Sequence, residues 1–126
     1  MTKSRDESEP WEAQLRKGCL EMAILGSLWT GRLYGLEILH LLERNASLGL
    51  AEGTLYVILN RLKTDGLVEC EWVDAGTGHP RKYYWLTPAG RQRLRGMARF
   101  WIRFAADLET LLEPALGRKE LGNARR

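Results

Sequence analysis

The sequence predicts a mainly α fold with one small β-hairpin, in the order helix-turn-helix, wing, long helix. Three observations carry this. Leu55, Ile58, Leu59 and Leu62 fall at i, i+3, i+4 and i+7, the period of an amphipathic helix seated on a core. A second such stretch, residues 34–44 (YGLEILHLLER), precedes it across a short Gly-containing turn, and two helices joined in this way form a helix-turn-helix. Residues 67–73 and 81–86 then read as two strands around a turn-rich loop, DAGTGHP.

Taken in order, residues 1–10 are polar and mixed in charge and predict a disordered tail. Trp11 follows, expected to tuck onto the neighbouring helix or to pack on a second subunit. Residues 15–29 (LRKGCLEMAILGSLW) predict a first helix that becomes apolar nearly all round from Cys19 to Leu28, so it needs cover on every side. In a chain of 126 residues, enough for one domain, part of that cover is expected from another subunit.

The helix over 51–67 has a second face. Stepping about 100° per residue from Leu55, the side opposite the core carries Gly53, Val57, Asn60 and Thr64, with Thr54, Tyr56 and Arg61 on the flanks. A face with almost no acid, built of small, polar and cationic groups, can approach a polyanion, donate to phosphates and read base edges in a major groove. The plainer reading is a solvated surface. Gly66 should stop the helix.

The strand over 67–73 alternates Val68, Cys70 and Trp72 against Glu69 and Glu71, the period of a half-buried strand. On the returning strand Tyr84 and Leu86 should face the core and Trp85 should face outward. The loop tip carries His79 and the base carries Arg81 and Lys82, which can reach phosphates or a minor groove; the alternative is a hairpin with solvated cations. Net charge is only +3, yet residues 75–106 contain no Asp or Glu while holding Arg81, Lys82 and five further arginines. Such a block points to an anionic partner.

Thr87 and Pro88 make a helix start, an N-cap followed by proline in the first turn. Leu94, Trp101 and Leu108 occupy one position of a seven-residue repeat and Met97, Phe104 and Leu111 the matching second one. This spacing predicts a coiled-coil-like seam over 87–116 and hence a homodimer, against the alternative of packing within the monomer. Arg91, Arg95, Arg99 and Arg103 form a ridge on the same helix, read as a solvated face. Residues 117–126 are expected to be a flexible tail.

GTLY at 53–56, NRLKTDGLVE at 60–69, RKYYWLTPAG at 81–90 and the long helix after them resemble the PadR family of winged helix-turn-helix transcriptional regulators, over about residues 15–112. The resemblance implies a homodimeric DNA-binding repressor on a pseudo-palindromic site. It implies DNA contacts at Thr54, Tyr56, Val57, Asn60, Arg61, Thr64, His79, Arg81 and Lys82. Some relatives bind planar aromatic compounds between tryptophans of the two long helices, which would place a ligand at Trp101, with Met97, Ala98 and Phe104 as walls. The sequence departs from the family before GTLY, where Ala51 and Glu52 replace a usual Ser-Pro pair. Ala cannot cap, a loss of typically ~1 kcal/mol, whereas Glu52 suits the positive helix end but would repel a phosphate there.

Other classes find less support. His40 and His79 are the only histidines, and no P-loop, nucleophile elbow or dinucleotide fingerprint occurs, so neither an enzyme nor a cofactor is expected. Cys19 and Cys70 stand far apart without chelating or CxxC spacing, which predicts free thiols in a reducing cytoplasm and weighs against a metal- or thiol-responsive sensor. No apolar run approaches the ~20 residues of a membrane span. A winged-helix protein-interaction module remains the other alternative.

Overall fold

The computed structural model describes residues 10–74, 76 and 78–117. Of the tails expected at 1–10 and 117–126, residues 1–9 and 118–126 lie outside the described residues, whereas Pro10 is the first residue of α1 and not part of a tail. Among the described residues, four helices and three short strands follow one another: α1 (Pro10–Ser27), β1 (Leu33–Tyr34), α2 (Gly35–Glu43), a 3-10 turn (Ala46–Leu48), α3 (Glu52–Thr64), β2 (Val68–Val73), β3 (Arg81–Leu86) and α4 (Pro88–Leu112). The chain divides into two compact units, with the boundary after Leu94 inside α4.

The N-terminal unit is organised around the apolar faces that the sequence spacing dictates. Leu20, Ile24, Leu25 and Leu28 of α1 and its end meet Ile38, Leu39 and Leu42 of α2 in a buried core closed by Leu55, Ile58, Leu59 and Leu62 of α3. Gly66, at φ 76°, ends α3 in the left-handed region that side chains avoid. Val68, Tyr84 and Leu86 bring the sheet onto the same core, and Leu94 adds the second turn of α4. Leu94 is thereby committed to the interior of its own chain, the monomer-packing alternative of the seam.

The sheet has three strands where the sequence shows two. Order is β1-β3-β2, all antiparallel, with Leu33 opposite Tyr84 and Cys70 opposite Tyr84 on the other side. A strand of two residues carries no detectable alternation, and β1 exists because β3 leaves an edge for it. Tyr34 serves twice, closing β1 and preceding α2 as its N-cap residue, where its backbone N–H donates to Glu37 Oε1 at 3.0 Å. At α4 the expected cap is present: Thr87 Oγ1 accepts from the Gly90 N–H at 3.0 Å and donates to the Gly66 carbonyl at 2.7 Å.

Trp11 and Trp72 are more exposed than core packing would leave them, and Trp85 faces outward as expected. Trp11 does not tuck in: α1 begins at Pro10, and the indole is 64% exposed. Trp72 is 66% exposed although its register is that of the core-facing Val68 and Cys70. Trp85 points away from the core but is half-covered, because the Arg32 guanidinium lies 4.0 Å from its ring and also pairs with Glu71.

Candidate nucleic-acid interface

α3 is seated by its leucines and meets α2 closely at Gly35, against which the Tyr56 ring packs. A Cβ at Gly35 would lie 2.0 Å from the Tyr56 hydroxyl oxygen, so the tyrosine occupies the space that any side chain at 35 would fill. Tyr56 is half-buried in consequence, and its phenol is raised above its ordinary pKa by that burial and by the carboxylate of Glu52 one turn earlier. Ala51 provides no side-chain cap to α3, as its chemistry requires, and Glu52 occupies the first turn.

The remaining predicted residues of α3 divide into two groups. Thr54, Val57, Asn60 and Thr64 are exposed, with Val57 at 68%, an apolar side chain bare on a polar face. Arg61 is also exposed but leans onto α1, where its Nη2 donates to Glu21 Oε1 at 3.2 Å. The other oxygen of Glu21 accepts from Arg93 Nε of α4 at 3.1 Å. One carboxylate therefore ties α1 to both α3 and the first turns of α4. Glu21 is the lone acid in an otherwise apolar run, a signal the sequence contains and periodicity alone does not weigh.

The wing cations are positioned by aromatic rings. The Arg81 guanidinium carbon lies 4.6 Å from the Tyr34 ring centroid, and Tyr34 in turn meets Tyr83 edge-on. Lys82 Nζ lies 5.8 Å from the Trp72 ring and 5.9 Å from that of Tyr84. A ring orients a cation without cancelling its charge, so both remain able to meet an anion. Tyr84, 2% exposed beneath them, has its phenol pushed up to about 12 by burial, with Cys70 and Tyr56 adding to the effect. His79 is exposed in the loop, where Asp74 Oδ1 accepts from the Gly76 N–H at 3.0 Å. Between α3 and the wing lies an open groove of about 430 Å³ bordered by Tyr56, Asn60, Trp72, Arg81 and Lys82. The structure thus brings Tyr56, Asn60, Arg81 and Lys82 together and directs Arg61 elsewhere.

In the C-terminal unit, Trp101 is half-buried with its ring 6.2 Å from that of Phe104, and Phe100 stacks on Phe104 at 5.4 Å. Phe104, Leu108 and Leu111 are 40%, 41% and 76% exposed, while Met97 is half-buried and Ala98 exposed. Cys19 and Cys70 are both half-buried thiols, and among the described residues no group of three His, Cys, Asp or Glu side chains gathers to hold a metal. No described helix is long and apolar enough to cross a membrane.

Two helices joined by a short turn, the second presenting an exposed polar face beside a cation-bearing hairpin, make this a winged helix-turn-helix domain. Residues 24–96 match the transcriptional regulator PadR-like family. A PadR-like transcription factor from Bacteroides fragilis is 37% identical, with 82% of this chain and 99% of that one covered and a TM-score of 0.67. A PadR family transcriptional regulator from Eggerthella lenta is 33% identical over 80% of this chain and 88% of that one, with a TM-score of 0.71. Bacillus subtilis PadR, solved in complex with operator DNA, is 28% identical over 63% of this chain and 46% of that one, with a TM-score of 0.58. The chain belongs to the PadR-like family of transcriptional regulators.

Proposed function

We propose that the chain binds operator DNA sequence-specifically as a C2 homodimer and represses transcription there. The observation that carries this reading is the placement of the exposed Thr54, Val57, Asn60 and Thr64 of α3 beside wing cations that aromatic rings orient and leave charged, with Glu52 as the one acid at the start of the helix. In this reading α3 enters a major groove. Asn60 suits adenine, Val57 suits the methyl of thymine, and Thr54 and Thr64 reach the flanking backbone. Arg81, Lys82 and His79 meet phosphates or the adjacent minor groove. Arg61 adds a guanine or phosphate contact by exchanging Glu21 for DNA. The Bacillus subtilis relative, crystallised on operator DNA, supports the partner.

The dimer is supported by Phe104, Leu108 and Leu111, a row of apolar side chains at heptad spacing that water covers in the single chain. Residues 87–116 would act as the dimerisation helix and 11–86 as the DNA-binding domain. Paired recognition helices would fall about 34 Å apart on a pseudo-palindrome. A planar aromatic effector between two copies of Trp101, walled by Met97, Ala98 and Phe104, would release the DNA if it prefers a different separation of the wings.

Selection of binding sites from random duplexes tests the reading. Enrichment of an inverted repeat with half-sites one turn apart is expected; no enrichment at low salt would sink it.

A further inference from the structure

We propose that Trp72 is a DNA contact of the wing, its indole packing on the deoxyribose of the strand whose phosphates Arg81 and Lys82 hold. The inference rests on the DNA reading above and adds to it a residue that periodicity assigns to the core.

Register places the indole. Val68 pairs with Leu86, Cys70 with Tyr84 and Trp72 with Lys82, and side chains two apart on a strand share a face. Along that face cover falls away: Val68 is fully buried, Cys70 is half-buried and Trp72 is 66% exposed. The helices shelter the first two pairs and stop short of the third, so Trp72 stands on the sheet face that α3 shares, one pair beyond the core. There it borders the groove between α3 and the wing, opposite Asn60 and beside Leu36, Pro80, Arg81 and Lys82.

The chemistry of that border selects the occupant. On the wing side one part is apolar, from the indole, Leu36 and Pro80, and the other is cationic, with Lys82 Nζ 5.8 Å from the indole ring; the carboxylate of Glu52 borders the groove from the start of α3, so the phosphates belong on the wing side. A nucleic-acid backbone alternates the same two characters, an anionic phosphate and an apolar sugar face, at the scale of one side chain. With 66% of the residue exposed, the indole has surface that a backbone lying along the groove would cover in part.

Salt dependence separates this role from that of the cations. A cation on a phosphate releases counterions, whereas an apolar contact does not, so removing Lys82 should flatten the slope of log K against log salt by about 0.9. Trp72→Ala should weaken binding to the selected duplex roughly five- to tenfold, the low end of aromatic contacts with nucleic acid, while leaving the slope unchanged. Trp72→Phe should keep most of the affinity. In the unsubstituted chain, duplex binding should quench and blue-shift tryptophan emission, and the larger part of that change should vanish in Trp72→Phe. This second readout stands even if the alanine variant folds poorly. Unchanged affinity in Trp72→Ala, a slope that flattens as in Lys82→Ala, or an emission change that survives in Trp72→Phe would each overturn the proposal. Failure of the DNA reading itself looks different: Arg81→Ala and Lys82→Ala would then leave both affinity and slope unmoved.

Discussion

Glu21 accepts a hydrogen bond from Arg61 on one carboxylate oxygen, at 3.2 Å, while the other oxygen holds Arg93 at 3.1 Å. The carboxylate is mostly covered, with 19% of its side chain exposed, whereas both arginines are more than half exposed. Solvent therefore screens the pairs, and each is worth about 0.2–1 kcal/mol. Glu21→Gln should lower the urea midpoint only slightly. Its larger effect should be on DNA binding, where an Arg61 no longer shared with Glu21 steepens the salt slope by up to about 0.9. A salt titration of the variant in parallel with Arg61→Ala checks this, and an unaltered slope in Glu21→Gln would contradict it.

Gly35→Ala should displace the Tyr56 ring, because the added methyl needs the place of the hydroxyl. Overpacking of this kind costs typically about 1–3 kcal/mol. The urea midpoint should fall, and the Tyr56 phenol, released from burial, should titrate at lower pH in a phenolate absorbance titration. A variant of parental stability and titration would show that the ring has room to move.

Tyr84 makes alkaline stability pH-dependent. Its folded pKa of about 12 lies above the unfolded value near 10, so the folded state keeps a proton that the unfolded state gives up. The stability tied to this group is complete below about pH 10 and is lost as pH rises from there toward 12, a loss on the order of 2–3 kcal/mol. Tyr84→Phe should remove that part of the decline in urea midpoints measured across the range. A decline of equal size in the variant would assign it elsewhere.

Leu111→Glu should leave the circular dichroism of the chain nearly unchanged, since the leucine is 76% exposed. If α4 pairs with a second copy, the same substitution should turn a dimer into a monomer in sedimentation at micromolar concentration. A parental chain that sediments only as monomer would end the dimer proposal.

Titration with planar aromatic dyes should quench tryptophan emission in the parental chain and not in Trp101→Ala. Quenching that persists in the variant would leave Trp101 as packing alone.

The sequence revealed most of the fold because α1, α2, α3 and α4 advertise themselves through period, cap and stop signals. α3 shows this most clearly, with Leu55, Ile58, Leu59 and Leu62 buried and Gly66 ending it. What it hid follows from physics that is not periodic. β1 is two residues long and exists only against β3. Trp72 obeys the alternation of its strand yet lies where the helices no longer reach, and alternation specifies a face without specifying cover. Arg61 has the spacing of a helix flank, but its direction is set by Glu21, forty residues earlier. Trp85 faces outward as its alternation requires, and its cover comes from Arg32, distant in sequence, whose guanidinium lies over the ring.

The contact between Gly35 and Tyr56 bears on how such a chain can change over generations. A helix-turn-helix in which a ring occupies the place of a methyl cannot gain a side chain at position 35 while keeping the ring at 56 where it lies, nor does it keep a reason for glycine once the ring is gone. The two positions should drift as one character: where descendants hold glycine at the first they should hold the aromatic ring at the second, and where one is exchanged the other should follow. Alteration of what the recognition face reads is then free to proceed at Val57, Asn60 and Thr64, which face water and carry no such obligation.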